Sequence, residues 1–354
     1  MCARNPLHCI LPPYILRKLA ESANELLRKL ALDNIAASAQ ARIMRVLTSL
    51  QPTLLAAATG TPGKKNRIIY TMRNRRPLPF LMPGKRVRAE GEPKSADPAV
   101  NEAYDYSGQT YDFFRKIFDR NSLDGRGMPL ISSVHVDDRY NNAFWNGQQM
   151  AYGDGDEIIF TRFTKSLDVV GHELTHGVVS HTCDLEYQGE PGALNEHFAD
   201  VFGCLVRQWR KKQKPSNAKA WLIGAELFIP APTRRALRDL ANPGTAFQND
   251  PDLGDDPQPG HIDDKYTGDD DNGGVHVNSG IPNKAFTLVA KKLGGSAWVK
   301  PGLIWYKTML KLTKTSNFQD CATETFETAG AEFGPDSAEQ KAVKEAWAAV
   351  GITV

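Results

Sequence analysis

His172-Glu173-Leu174-Thr175-His176 sets two imidazoles four residues apart with a carboxylate between them. On an α-helix that spacing separates the rings by about 40° of rotation and about 6 Å of rise, so both can reach one tetrahedral ion. Glu173, one residue along, can face a metal-bound water without ligating the metal, which is where a general base has to stand. Two histidines leave a catalytic zinc site incomplete, because it takes three protein ligands and keeps the fourth position for water. One pattern supplies a third histidine after a glycine, and it fails here: Val179 holds the glycine position, Thr182 holds the last, and His181 falls one residue early, as a surface residue at the helix end. The alternative is a carboxylate on a following helix. Gly192-Ala193-Leu194-Asn195-Glu196-His197-Phe198-Ala199-Asp200 supplies Glu196, 20 residues after His176, with Asp200 on the same helix face. Glu196 can then bind zinc while Asp200 accepts a hydrogen bond from a liganding imidazole.

These residues need helices, and the apolar periodicity supplies them. From Leu167 onward helical patterns dominate: 168–180, 192–211, 281–293, 303–312, 318–331 and 337–350. Between the second and third lies a Pro/Asp-rich loop, 242–271, with nine aspartates, which reads as a solvated acidic loop. Upstream, Arg67-Ile68-Ile69-Tyr70, Leu130 to Val136 and Glu157-Ile158-Ile159-Phe160 are β-type runs, with one helical segment over 100–119. Residues 14–50 read as a helix that Pro12-Pro13 starts and Gln51-Pro52 ends, and 54–66 has the small, Gly/Pro-bearing, basic composition of an exposed linker. The expected division is a helical piece with linker over 1–60, a sheet-rich subdomain over 61–180 that includes the zinc helix, and a helical subdomain over 181–354.

The 354-residue chain, 41% hydrophobic and 24% charged, has the composition of a folded protein. It lacks the long apolar run of a membrane span and the pattern of a secretory signal peptide, so a cytoplasmic protein, or one exported without a classical signal, is expected. Five scattered cysteines build neither a disulfide scaffold nor a zinc knuckle. Residues 1–90 carry 16 Lys and Arg against 4 Asp and Glu, or +12, and residues 91–354 carry 27 against 37, or −10, so the two parts should attract each other. The basic part lacks the aromatic interleaving of a nucleic-acid surface, and no nucleic-acid or membrane partner is expected.

Taken with Asn141 to Gly147, Tyr152-Gly153-Asp154-Gly155-Asp156, Asp168 to His176, Asn195-Glu196 to Asp200 and Asp271 to Ile281, the chain from about Arg67 to Val354 resembles the thermolysin-type metallopeptidases. Its short N-terminal piece, with Ile10 to Leu16, is similar to the protealysin branch, whose members carry a brief propeptide. The resemblance implies an α+β fold of two subdomains joined by the zinc helix. It implies one zinc on His172, His176 and Glu196, with Glu173 as general base, Asp200 orienting His172 and Asn195 supporting His176. His276 and Tyr187 match the positions that stabilise the oxyanion, with Asp271 orienting His276. Arg238 matches the arginine on a substrate carbonyl, Asn142 and Ala143 an edge strand to which a peptide adds, and Phe160, Phe163, Val169, Ile223 and Leu237 the pocket beyond the scissile bond. The implied activity is that of a neutral endopeptidase cutting before bulky apolar residues.

The departures concern calcium. Family members bind it through the equivalent of Asp168 and later acids, but Arg207, Ala220, Leu222 and Ala225 stand at those later positions. Calcium needs six to eight oxygens, so that site is expected to be absent, with Arg207 paired to Asp168 instead. The charge asymmetry, the linker and the helical N-terminal piece point to a self-processing precursor in which residues 1 to about 60 cover the site as an intramolecular inhibitor; a monomer is expected. Cys9 could set a thiolate on the zinc, against the plainer reading of a small packing residue. A rival reading is a zinc-stabilised, catalytically silent binding protein or toxin component, which lacks a sequence cause because Glu173, Tyr187 and His276 are all present. Another rival, a membrane-surface partner, needs the basic N-terminal helix to stay exposed.

Overall fold

The computed structural model describes residues 8–49, 63–78 and 81–354, without the side chains of 42–49. Leu130–Val136, rich in β-branched residues and almost wholly buried, forms the central strand β4. Around it β1 (His8–Cys9), β2 (Arg67–Arg75), β3 (Lys85–Ala89), β5 (Ala143–Trp145) and β6 (Met150–Tyr152) complete a mixed six-stranded sheet in the order β1-β5-β6-β4-β2-β3. β4 runs parallel to both β2 and β6, and the other pairings are antiparallel. Helix α3 (Pro98–Phe118), started by Pro98 and by the Asp97 side chain accepting from Ala99 N, covers this sheet.

The helical half begins with α4 (Leu167–Ser180) and α5 (Gly189–Lys211), which pack antiparallel along their length. Gly203 permits that closeness: a Cβ there would stand 2.5 Å from Asp168 O and 2.8 Å from His172 N. α6 (Asp270–Asn278), α7 (Gly280–Leu293), α8 (Lys300–Met309), α9 (Phe318–Phe333) and α10 (Ala338–Ala348) follow, with a small ribbon of β7 (Leu222–Ile223) and β8 (Arg238–Asp239) beside α5. One buried apolar cluster runs through both halves and takes in Ile10, Leu11, Ile15, Leu16 and Leu19 of the N-terminal piece.

Two expectations change. The helix over 14–50 is two helices, α1 (Pro13–Ala20) and α2 (Glu25–Ser49), because Asn24 Oδ1 accepts from Leu26 N and Leu27 N and starts a new helix. Residues 157–160 are not a strand: Asp156 Oδ1 accepts from Ile158 N, Ile159 N and Phe160 N at 2.7–3.0 Å and curls them into a turn, leaving one bridge from Phe160 to Phe228. The charge asymmetry between residues 1–90 and 91–354 is met by ion pairs among the described residues, such as Arg17–Asp270, Lys65–Asp112, Arg76–Asp137 and Arg88–Asp105. Among the described residues the N-terminal helices make one ion pair to the remainder, the exposed Arg17–Asp270, so their docking rests on apolar burial. Most of the expected linker, through residue 62, lies outside the described residues.

Candidate metal centre and active site

His172 and His176, one turn apart on α4, turn their Nε2 atoms to within 3.0 Å of each other. Glu196 on α5 meets them, Oε2 at 3.5 Å from His172 Nε2 and Oε1 at 3.4 Å from His176 Nε2. A tetrahedral ion with bonds of about 2.0–2.1 Å sets its ligands about 3.3–3.4 Å apart, so this triangle fits zinc in size and in donor type. All three side chains are fully buried, and Glu196 Oε2 has no hydrogen-bond partner, as a carboxylate oxygen awaiting a cation would be. Among the described residues this is the one group of three or more such donors. Cys9 is not part of it: its Sγ lies 3.7 Å from Leu11 O and the residue belongs to an apolar cluster with Phe144 and Tyr140, which is the plainer of its two readings.

The imidazoles are oriented from behind. His172 Nδ1 lies 2.9 Å from Asp200 Oδ1, and His176 Nδ1 lies 2.9 Å from Asn195 Oδ1, whose Nδ2 donates to Leu185 O. Asp200 also receives both arms of Arg238, at 2.9 and 2.8 Å, and Asn283 Nδ2 at 3.0 Å. Burial alone would raise the Asp200 carboxyl; Arg238 and His172 outweigh it and hold it well below the ordinary range. Sequence reasoning paired Asp200 with His172 but missed Arg238 and Asn283 as its other partners, since nothing in a single sequence signals contacts 38 and 83 residues away.

Glu173 is buried, and neither oxygen has a partner of good hydrogen-bond geometry. Burial raises its pKa well above the carboxylate range, with Cys9 and Glu196 adding, while the backbone N–H groups of Trp145 and Ile10 oppose the shift. Opposite stand Tyr187 and His276. Tyr187 OH donates to Glu196 Oε1 and lies 3.2 Å from His276 Nε2. Residues 271–274 adopt a left-handed turn, φ 53–77°, that the Asp-Asn-Gly-Gly sequence suits. This turn lets one carboxylate hold His276 twice, Oδ1 on Nδ1 at 2.6 Å and Oδ2 on the backbone N at 2.8 Å. Burial alone would lower the imidazole pKa, but Asp271 and Glu196 raise it well above its usual value. Gln258 Nε2 fixes the same loop through His276 O at 2.7 Å, a contact the sequence did not flag.

The expected pocket residues Phe160, Phe163, Val169, Ile223 and Leu237 are all fully buried in one apolar cluster, which also contains Ile10. The expected peptide-binding edge is occupied by the chain itself. β1 pairs antiparallel with β5, Cys9 opposite Phe144, and Ile10 N donates to Ala143 O at 3.2 Å. Leu11 N donates to Asn142 Oδ1 at 3.1 Å, Arg238 Nη1 to Ile10 O at 3.0 Å, and His276 Nε2 lies 2.8 Å from Cys9 O. At the far end of α4, Arg207 lies on Asp168 Oδ2 as expected, and that carboxylate also accepts from Ser166, Val169 N and Gly224 N. His181 closes α4 with Nδ1 on Gly177 O, at the surface as expected.

Residues 65–180 match the family model of the thermolysin metallopeptidase catalytic domain, and residues 183–352 that of its alpha-helical domain. An extracellular metalloprotease of Pectobacterium carotovorum subsp. carotovorum is 44% identical over 99% of this chain and 97% of its own. The protease PrtS of Photorhabdus sp. is 43% identical over 98% and 92%. The thermolysin of Alicyclobacillus acidocaldarius is 39% identical over 80% of this chain and half of its own length. The solved precursor of protealysin from Serratia proteamaculans superposes with a TM-score of 0.86 at 44% identity, over 98% of this chain and all of that one. The chain therefore belongs to the thermolysin metallopeptidase family, within its protealysin-type group of precursors, and is a zinc metalloendopeptidase.

Proposed function

We propose that His172, His176 and Glu196 hold the zinc, and that Glu173 is the general base of a neutral endopeptidase. When bound, the ion supplies Lewis acidity, lowering the pKa of a coordinated water towards about 7 and polarising the scissile carbonyl. Glu173 takes the proton of the attacking water and returns it to the departing nitrogen; its burial favours holding that proton between the two events. His276, whose pKa Asp271 and Glu196 raise, and the Tyr187 hydroxyl donate to the oxygen on which charge develops. Asp200 and Asn195 fix the two imidazole rings. A peptide substrate adds to β5 through Ala143 and Asn142, meets Arg238 with a carbonyl, and fills the apolar pocket of Phe160, Phe163, Val169, Ile223 and Leu237 with its next side chain.

Residues 1 to about 60 act as propeptide and intramolecular inhibitor, two catalytic subdomains follow with their boundary near residue 180, and the mature enzyme is a secreted monomer. The extracellular metalloprotease among its relatives supports export. No calcium binds beside α4, because Arg207 supplies the positive charge at Asp168. The observation that carries the proposal is the triangle of three buried ligand atoms with the unpartnered Glu173 carboxylate beside it. Intact mass over time, for the zinc-loaded chain and for Glu173→Ala, tests it. The parent should lose a segment ending within residues 50–66 and then cut peptides before bulky apolar residues, and the variant should do neither. If both shorten alike, Glu173 is not the base.

A further inference from the structure

The contacts of residues 9–11 are those proposed above for a substrate, and they fall in a substrate's order along the chain. His276, the oxyanion donor, meets the carbonyl of Cys9 at 2.8 Å. The next nitrogen, that of Ile10, donates to Ala143 O and lies beside the Glu173 carboxyl. The carbonyl of Ile10 takes Arg238, and the N–H of Leu11 takes Asn142 Oδ1. Ile10 is fully buried and belongs to the same apolar cluster as the pocket residues. One peptide bond therefore has its carbonyl at the oxyanion donor and its nitrogen at the general base. That bond is Cys9–Ile10.

We propose that Cys9–Ile10 is a self-cleavage site, cut within the same molecule before the linker is cut. The proposal rests on the roles assigned above to Glu173, His276 and Arg238. Hydrolysis adds one water across the bond: the carbonyl carbon of Cys9 gains the oxygen and becomes a carboxylate, the C–N bond breaks, and the nitrogen of Ile10 leaves as an ammonium that has taken both protons of the water, one of them by way of Glu173. Residues 1–9 then lack a covalent tie, while Ile10 onward stays anchored by Leu11, Ile15, Leu16, Leu19 and Leu27, all buried. The clipped chain remains latent, since its primed half still fills the groove. Release of activity waits for the second cut, in the linker.

The test follows the intact mass of the zinc-loaded full chain at several protein concentrations, beside Glu173→Ala and Ile10→Asp. A synthetic peptide of residues 4–14 is also given to the processed preparation. The expected result is an early species that begins at Ile10 and forms at a rate independent of concentration. It should be absent from Glu173→Ala and slowed at least about tenfold in Ile10→Asp, whose charge the apolar pocket rejects. The peptide should be cut at the same bond. A preparation that hydrolyses other peptides but leaves Cys9–Ile10 whole in the chain overturns the proposal and leaves the enzyme's function standing. So does a cut at Cys9–Ile10 whose rate rises with concentration, because it is then made between molecules. If the preparation hydrolyses no peptide at all, the functional reading falls and this proposal with it.

Discussion

Replacing Arg207 by methionine removes the cation from a carboxylate that has no exposure to solvent. Asp168 is fully buried, and its other partners, Ser166, Val169 N and Gly224 N, are neutral donors. Leaving such a charge unpaired costs about 3–5 kcal/mol. A chain of this length unfolds with an entropy of about 0.7 kcal/mol/K, so the melting temperature should fall by about 4–7 °C. Scanning calorimetry on the Glu173→Ala background, which prevents self-digestion, reads that shift. Adding Asp168→Asn to Arg207→Met should recover most of the loss, since the unpaired charge is then gone. Millimolar calcium should leave Asp168 untouched in the parent. A loss below about 1 °C for Arg207→Met would refute the reasoning. A calcium-dependent rise that Asp168→Asn abolishes would refute it equally.

Three further outcomes follow from the geometry. His276→Ala should lower kcat/KM by about 10²–10³ with zinc content unchanged, because in the proposed mechanism it removes one donor to the developing oxyanion and no ligand. His135 should make stability fall at alkaline pH. The hydrogen bond to Asp154 raises its pKa, burial opposes, and Asp97 adds, giving about 9 in place of 6.5. A raised folded value means the stabilisation is complete below pH 6.5 and lost as pH rises through about 9, with a ceiling of about 3 kcal/mol. Urea titrations of the Glu173→Ala chain against pH should show this decline, and Asp154→Asn should flatten it. Cutting of the linker should be second order in protein. The groove is already filled by residues 8–11 of the same chain, so the linker has to be cut by another molecule. A linker cut whose half-life does not change on tenfold dilution would contradict this.

Much of this was legible in the sequence where a local period carries the information. The four-residue spacing of His172 and His176, and of Glu196 and Asp200, survives folding because a helix fixes which side chains share a face. The long strand at Leu130–Val136 announced itself by β-branched residues, whereas β5 and β6, three residues each, gave no periodic signal. Residues 157–160 have strand composition, yet the single carboxylate of Asp156 captures three successive N–H groups and overrides it. The joining of His8–Cys9 to the sheet, and the fork of Arg238 on Asp200, are long-range contacts that no local pattern encodes. The net charges of the two parts suggested attraction, and ion pairs join them among the described residues, but charge counts do not say where side chains meet: of these pairs only Arg17–Asp270 involves the N-terminal helices.

The central claim is that three residues hold zinc while a fourth, beside them, does the proton chemistry. Zinc content and peptide hydrolysis measured together on the processed parent, Glu173→Ala and Glu196→Ala test that division most directly. The account predicts one zinc and no measurable turnover for Glu173→Ala, and loss of zinc with loss of turnover for Glu196→Ala. Hydrolysis that persists in zinc-loaded Glu173→Ala, or a Glu196→Ala chain that keeps both its zinc and its rate, would contradict it.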